Sequence, residues 1–176
     1  MGRADGPFPE HYEPWESPIS NPISGIQNDP VFKIWDGPMD FKGDPSQYPM
    51  ICTTFRLVEH WQSGQMTRNM PWLVEMVPEM FVEISEELAA SKGIESGDMV
   101  KVSSARGTIE VNAMVTKRLK PYTLDGKQVH QIAMPWHWGY VGLSTGASAN
   151  SLTPNVGDAN TMIPEYKAFL TNVEKA

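Results

Sequence analysis

The sequence is short of several things, and each shortage removes a class of function. It has one cysteine, Cys52, among 176 residues, so it can form neither an internal disulfide nor a cysteine-rich iron–sulfur or zinc cage. Cys52 lies in the apolar run Met50-Ile51-Cys52, which predicts a buried thiol rather than a nucleophile. Apolar runs extend only a few residues, too few for a membrane-spanning helix, so direct membrane insertion is not expected. The first residues, Met1-Gly2-Arg3-Ala4-Asp5, lack the apolar core of a secretory signal; if the protein is exported, its signal lies elsewhere. Basic residues are outnumbered, 14 Lys and Arg against 21 Asp and Glu, for a net charge of -7. That balance argues against nucleic acid as a partner, because neutralising phosphates needs clustered cations. The densest basic stretch, Lys117-Arg118-Leu119-Lys120, runs straight into Pro121 and reads as a solvated turn. A glycine-rich phosphate loop, a nucleophile elbow and a His–Glu zinc helix are also missing. His60, His130 and His137 are too far apart for the short ligand spacings of zinc sites, and there is no internal repeat.

What is present divides near residue 49. The stretch from Pro7 to Pro49 holds most of the prolines. Proline fixes φ and removes backbone donors, so no helix or central strand is expected there. The same stretch carries Phe8, Tyr12, Trp15, Phe32 and Trp35, more aromatic surface than a disordered tail usually has. A proline-rich extended arm over residues 1–49, lying across another surface, satisfies both observations.

From residue 50 to 176 the pattern predicts a mainly β domain with short helices. Strands are expected at Met50–Leu57, Met80–Ile84, Met99–Val102, Val129–Met134 and Phe169–Val173. Another should cover the alternating Ile109, Val111, Ala113 and Val115. Pro71 to Met76 can start a helix with Pro at its first position. Ser85 reads as the N-cap of a second helix, with Glu86 and Glu87 in its first turn and Gly93 ending it. Asp125-Gly126 marks a tight turn. Leu143 to Asn160, with almost no charge, reads as a long loop of the kind that is usually functional.

Two clusters carry chemistry. The first, Thr53 to Arg68, mixes hydroxyls, the Arg56 fork, the Glu59 carboxylate, the His60 imidazole and the Trp61 indole just where a strand ends. Arginine can grip phosphate bidentately, hydroxyls and amides add neutral donors, and a carboxylate can accept from the N–H edge of a guanine or pterin. Alternatively, Arg56 and Glu59 simply pair on the surface. The second cluster is Pro135-Trp136-His137-Trp138-Gly139-Tyr140. Core or interface packing accounts for Trp136 and Trp138, while His137 is a candidate ligand contact.

These residues resemble a known family, the dimethyl-sulfoxide-reductase-type molybdenum and tungsten oxidoreductases. Thr54 to Arg68, with Arg56, Glu59-His60-Trp61 and Gly64-Gln65-Met66-Thr67-Arg68, looks like the signature of their last domain. The segment from Phe81 to Asp98, Ala149 to Thr153 and Pro164 to Lys167 match further blocks in order. Asp5 to Pro14, Val115 to Arg118 and Pro135 to Gly139 resemble the large subunits of exported formate dehydrogenases. The resemblance covers nearly the whole chain.

It implies a six-stranded double-psi β-barrel over residues 50–176, covering a bis(molybdopterin guanine dinucleotide) with Mo or W. It implies that Thr54, Phe55, Arg56, Leu57, Val58, Glu59, His60, Trp61, Gln62 and Ser63 line that cofactor, joined by Thr67, Asn150, Tyr166 and Lys167. Glu165 is a further candidate, and Trp136 and His137 are the candidates for proximity to substrate. Gln62 departs from the periplasmic nitrate reductase version, which has histidine there. The metal ligand and the groups beside formate would lie in other domains, so no catalytic residue and no metal ligand is expected here. The expected partners are the remaining domains of the catalytic subunit and an iron–sulfur subunit that takes the electrons. The parent enzyme would be periplasmic, and the chain, inactive alone, would be a fragment or a piece of a split subunit. Two other readings remain open, a free-standing β-barrel interaction module and a small hydrolase using His60 with Glu59. Neighbouring residues on a strand point to opposite faces, which weakens the second.

Overall fold

The computed structural model describes residues 14–19, 32–34, 41–158, 162–164 and 166–176. Six strands close into a barrel. In chain order, the strands are β1 (Phe32–Ile34), β2 (Met50–Phe55), β3 (Phe81–Ser85), β4 (Met99–Ser103), β5 (Thr108–Thr116), β6 (Tyr122–Leu124), β7 (Lys127–Val129), β8 (Gln131–Pro135), β9 (Val156–Asp158) and β10 (Phe169–Lys175). The barrel runs β10-β2-β8-β3-β5-β4 and closes where β4 meets β10. Two of its pairings are parallel, β2 with β8 and β3 with β5, and the others are antiparallel. Closure leaves no open sheet edge.

The alternation in β5 puts Ile109, Val111 and Ala113 inside. They meet Val82 and Ile84 from β3, Val100 and Val102 from β4, Ile132 and Met134 from β8, and Phe169 and Val173 from β10. Cys52 is fully buried in this core as a free thiol, as its sequence setting suggested.

Helix α1 (Pro71–Met76) has Pro at its start, and α2 (Glu86–Lys92) is bounded as its end residues dictate. The Ser85 hydroxyl accepts from the Leu88 N–H at 3.1 Å, and Gly93 ends the helix at φ 65°, a conformation that costs a β-carbon dearly. Asp125 and Gly126, both at positive φ, turn β6 into β7.

The expected single strand Val129–Met134 is two. The chain breaks at His130, leaving β7 in a hairpin while β8 enters the barrel, and the His130 carbonyl accepts from Ile51 N–H. The expected loop after Leu143 is also more ordered than its composition implied. It contains a 3₁₀ turn at Ala149–Ser151 and the strand β9, which pairs with β1. Short-range pattern cannot reveal a strand whose partner lies more than a hundred residues away. The basic stretch near Lys117 forms no anion site: Arg118 pairs with Glu83, and Lys120 with Glu87 at 2.8 Å.

Of the proline-rich region, Trp15 and Glu16 are buried. Glu16 forms a two-pronged ion pair with Arg106 in the β4–β5 turn, both side chains fully buried. Its oxygens also accept from the backbone N–H of Gly43 and of Leu170 in β10. Arg106 donates in addition to the carbonyls of Phe41 and Leu152. Every donor and acceptor in this knot is used, which is what makes a buried pair tolerable.

Arg106→Ala would strand a buried carboxylate. It should lower the unfolding free energy by about 3–5 kcal/mol, measured by urea denaturation; a loss well under about 1 kcal/mol would mean the pair holds nothing.

Candidate functional site

The register of one strand pair builds the site. In the parallel pair β2–β8, Thr54 faces Met134 and Phe55 faces Pro135, so the two clusters seen in the sequence leave the barrel side by side. Arg56 stacks over the Trp136 ring at 3.9 Å, and Leu57 N–H donates to Nε2 of His137 at 2.8 Å. A third segment joins from the other end of the chain. Thr54 donates from both its backbone N–H and its hydroxyl to the Tyr166 carbonyl, at 3.2 and 3.1 Å, while Lys167 Nζ donates to the Thr54 carbonyl.

Arg56 and Lys167 are therefore neighbours. Burial lowers the Lys167 pKa, and the Arg56 charge lowers it further. The Arg56 pKa is also lowered by burial, against an opposing effect of Tyr166. Among the described residues no carboxylate forms an ion pair with either cation, so the surface pairing of Arg56 with Glu59 does not occur. The indole N–H of Trp136 beneath Arg56 is buried and has no acceptor among the described residues. Two cations and an orphan donor thus meet with no ion-paired carboxylate among the described residues.

Two clefts share residues with this cluster. One, about 800 Å³, is lined by Phe55, Arg56, Leu57, Val58 and Glu59 together with Met76 to Glu79. The other, about 540 Å³, is lined by Asn150, Thr153, Tyr166 and Pro164, among others. Asn150 and Tyr166 thus line one cleft, which neither Arg56 nor Lys167 lines. Val58 and Trp61 are exposed, as is Gln62. Ser63 Oγ lies 3.3 Å from the Tyr140 hydroxyl. Glu165 lies outside the described residues.

His60 does not join the others. It is buried, and its Nε2–H donates to the Val77 carbonyl at 2.9 Å. Its Nδ1 accepts from the Thr67 hydroxyl at 3.2 Å, and that hydroxyl in turn accepts from Trp61 N–H. Arg56, Asn150 and Lys167 are exposed, but His60 does not stand with them, and two of the exposed three are not without partners. His60 is enclosed and doubly bonded, Lys167 is tied to Thr54, and Arg56 is laid on an indole. The His60–Glu59 hydrolase reading falls, since both ring nitrogens of His60 are committed.

Arg68 is the residue the sequence left unexplained. Fully buried, it donates from Nη1 to the carbonyls of Tyr140 and Ser144, at 2.7 and 2.6 Å, and its guanidinium lies 4.5 Å from the Tyr140 ring. It clamps the two loops together. Gly64 allows this, for a β-carbon there would fall 2.3 Å from the His137 carbonyl and 2.9 Å from Arg68 Nε. The glycine and arginine ends of the Gly64–Arg68 signature were the available signal. Among the described residues no group of three metal-capable side chains exists, and no helix is long and apolar enough to cross a membrane.

Comparison with known proteins places this geometry in a family. Residues 50–170 match the molybdopterin dinucleotide binding domain, and the chain belongs to that family. It is 50% identical, over 99% of its length, to the formate dehydrogenase subunit alpha of Megalodesulfovibrio gigas. It is 49% identical, over 98%, to the nitrate-inducible formate dehydrogenase major subunit of Escherichia coli K12. In each case it spans 17% of the relative's length. Among solved structures it is similar to acetylene hydratase from Pelobacter acetylenicus, with a TM-score of 0.65 at 17% identity over 97% of this chain and 21% of that one. That likeness concerns the fold alone.

Two tests follow from the burial of ionisable groups. Burial pushes the Cys52 thiol well above its ordinary pKa, so alkylating reagents should modify it only after unfolding; rapid labelling of the native chain would contradict the placement. Burial also lowers the pKa of His137, as it does that of His130. Above about pH 6.5 both native and unfolded forms are neutral and nothing changes. As pH falls through that value the unfolded chain takes up protons first, so stability should decline until the native histidines also protonate. Denaturation midpoints between pH 8 and 5, both rough bounds of the range where histidine titrates, would show this; a midpoint that rises on acidification would contradict it.

Proposed function

We propose that this chain clamps the dinucleotide of a bis(molybdopterin guanine dinucleotide) cofactor in a molybdenum or tungsten enzyme that oxidises formate to carbon dioxide. The observation that carries the reading is the cluster of Arg56, Lys167 and the Trp136 indole N–H, with no carboxylate among the described residues ion-paired to either cation. A pyrophosphate is the chemical complement of such a cluster, since it offers charge-assisted acceptors to a planar fork and to a point charge.

The residues present fit the cofactor. Arg56 and Lys167 would hold phosphate oxygens, and Asn150 and Tyr166 would meet the adjoining ring system from the second cleft. Glu59, beside Arg56 in the first cleft, would accept from the N–H edge of a guanine or pterin. When bound, the cofactor supplies the two-electron redox chemistry. The chain itself orients the dinucleotide and covers it from water, and it is inactive alone. The whole-enzyme activity is supported by the names of the relatives, and passage of electrons to an iron–sulfur subunit of a periplasmic enzyme rests on the resemblance.

A second surface supports the remainder of the catalytic subunit as partner. Met66, Met70, Trp72 and Met76 are exposed beside Tyr140, Val141 and Leu143. Residues 128–157 contain no Asp, Glu, Lys or Arg. Such an apolar face on a small domain, with Glu75 its exposed charge in α1, is the kind that another surface covers.

In the full-length catalytic subunit, Arg56→Ala and Lys167→Ala should each weaken cofactor retention by on the order of 1.5–3 kcal/mol, the range for a charged hydrogen bond. The measurement is pterin released per folded subunit. Retention equal to the wild type in both variants would refute the phosphate role.

A further inference from the structure

We propose that His137, as the neutral tautomer protonated at Nδ1, is a positioning residue that fixes the course of the 57–62 loop, and so the approach of that loop to the dinucleotide. The inference rests on the reading above that this loop lines the cofactor. It gives His137 a role other than contact with substrate.

The loop has little to hold it from within. Among the described residues its one backbone–backbone bond is to the Trp61 carbonyl from Gly64 N–H, and Trp61 N–H reaches out to Thr67. His137 ties its two ends instead. Leu57 N–H donates to Nε2, and Nδ1–H donates to the Gln62 carbonyl. Two backbone groups five residues apart are thus pinned to opposite sides of one imidazole. The pairing dictates the tautomer, because Nε2 must offer a lone pair and Nδ1 a proton.

The backbone at the far end is the independent sign that the tether works. Gln62 has φ 54°, a left-handed conformation that a non-glycine residue keeps only where its surroundings over-determine it. Gln62 is exposed, so no packing of its own side chain imposes the conformation; its carbonyl is the group His137 holds. His137 itself is 1% exposed, packed between Trp136 and Trp138 with the His60 ring 6.2 Å away. With both nitrogens engaged, it has no free atom for proton transfer to a substrate.

The charged and titratable groups acting on it are His60, Arg56 and Glu59. Burial is the largest influence and keeps the ring neutral, and His60 and Arg56 act in the same direction against Glu59 and the Gln62 bond. Protonation would turn Nε2 from an acceptor into a donor facing the Leu57 N–H. One end of the loop would then come free.

The test combines hydrogen exchange on the 176-residue chain with cofactor retention in the full-length subunit. His137→Ala should speed amide exchange at residues 57–63 by about tenfold and leave the strands β4 and β5 unchanged. His137→Gln, which keeps one donor and one acceptor, should restore part of the protection. The Ala variant of the full-length subunit should also retain less cofactor. Unchanged exchange in the loop overturns the role of His137, as does acceleration spread evenly over the barrel. A loosened loop with undiminished cofactor retention overturns the cofactor reading beneath it, and the proposal falls too. Should the Ala variant fail to fold, nitrogen NMR of the wild-type chain decides: an Nε2-protonated His137 at neutral pH contradicts the proposal, and an Nδ1-protonated ring supports it.

Discussion

One parallel strand pairing brings the two sequence clusters of this domain to a common rim. Parallel neighbours must be joined by a long crossover, so β2 and β8 are separated by some of the most distant sequence in the barrel, yet they end at the same rim. Their register, Phe55 opposite Pro135, fixes which residue of one loop meets which residue of the other. Arg56 falls on Trp136 and Leu57 on His137 because those are the next residues out. A shift of one residue would reverse the faces of the strand, send Arg56 elsewhere and leave His137 without its amide partner.

The rim is then secured by buried polar groups rather than by regular structure. Arg68 crosses between the loops and bonds to carbonyls on the far side. His137 holds both ends of the 57–62 loop, and His60 ties that loop to Thr67 and to Val77. At another edge of the barrel the Glu16–Arg106 pair joins the N-terminal region to β10 and to the turn between β4 and β5. Each arrangement places costly groups in the interior, where an unmade bond is expensive. The gain is definition: irregular segments are held in one course and the outward side chains keep a fixed geometry. Arg56, Lys167 and Val58, Trp61 and Gln62 of the 57–62 loop remain exposed at the rim because buried neighbours carry the structural load.

Much of this was legible in the sequence where the signal is local. Ser85, Glu86, Glu87 and Gly93 specify a short helix from first principles, and the alternation through β5 specifies its buried face. Barrel closure followed from the resemblance, as did the grouping of Arg56 with Tyr166 and Lys167, since no periodicity connects residues 56 and 167. Other features depend on partners remote in the chain and could not be read locally. The pairing of β1 with β9 is one, and the break at His130 is another. The double bonding of His137 is a third: a histidine between two tryptophans looks the same whether its nitrogens face a ligand or a backbone. Arg68 was quoted within a motif whose Gly64 and Arg68 ends were the one local hint of the clamp, and its carbonyl partners lie more than seventy residues away.

The central claim is that the rim built by β2, β8 and the 166–167 segment receives a pyrophosphate. A structure of the full-length catalytic subunit with its cofactor bound tests it most directly. The account predicts pyrophosphate oxygens within about 3 Å, ordinary hydrogen-bond distance, of both the Arg56 guanidinium and Lys167 Nζ. A dinucleotide bound with both cations turned to solvent, or paired with carboxylates of another domain, would contradict it.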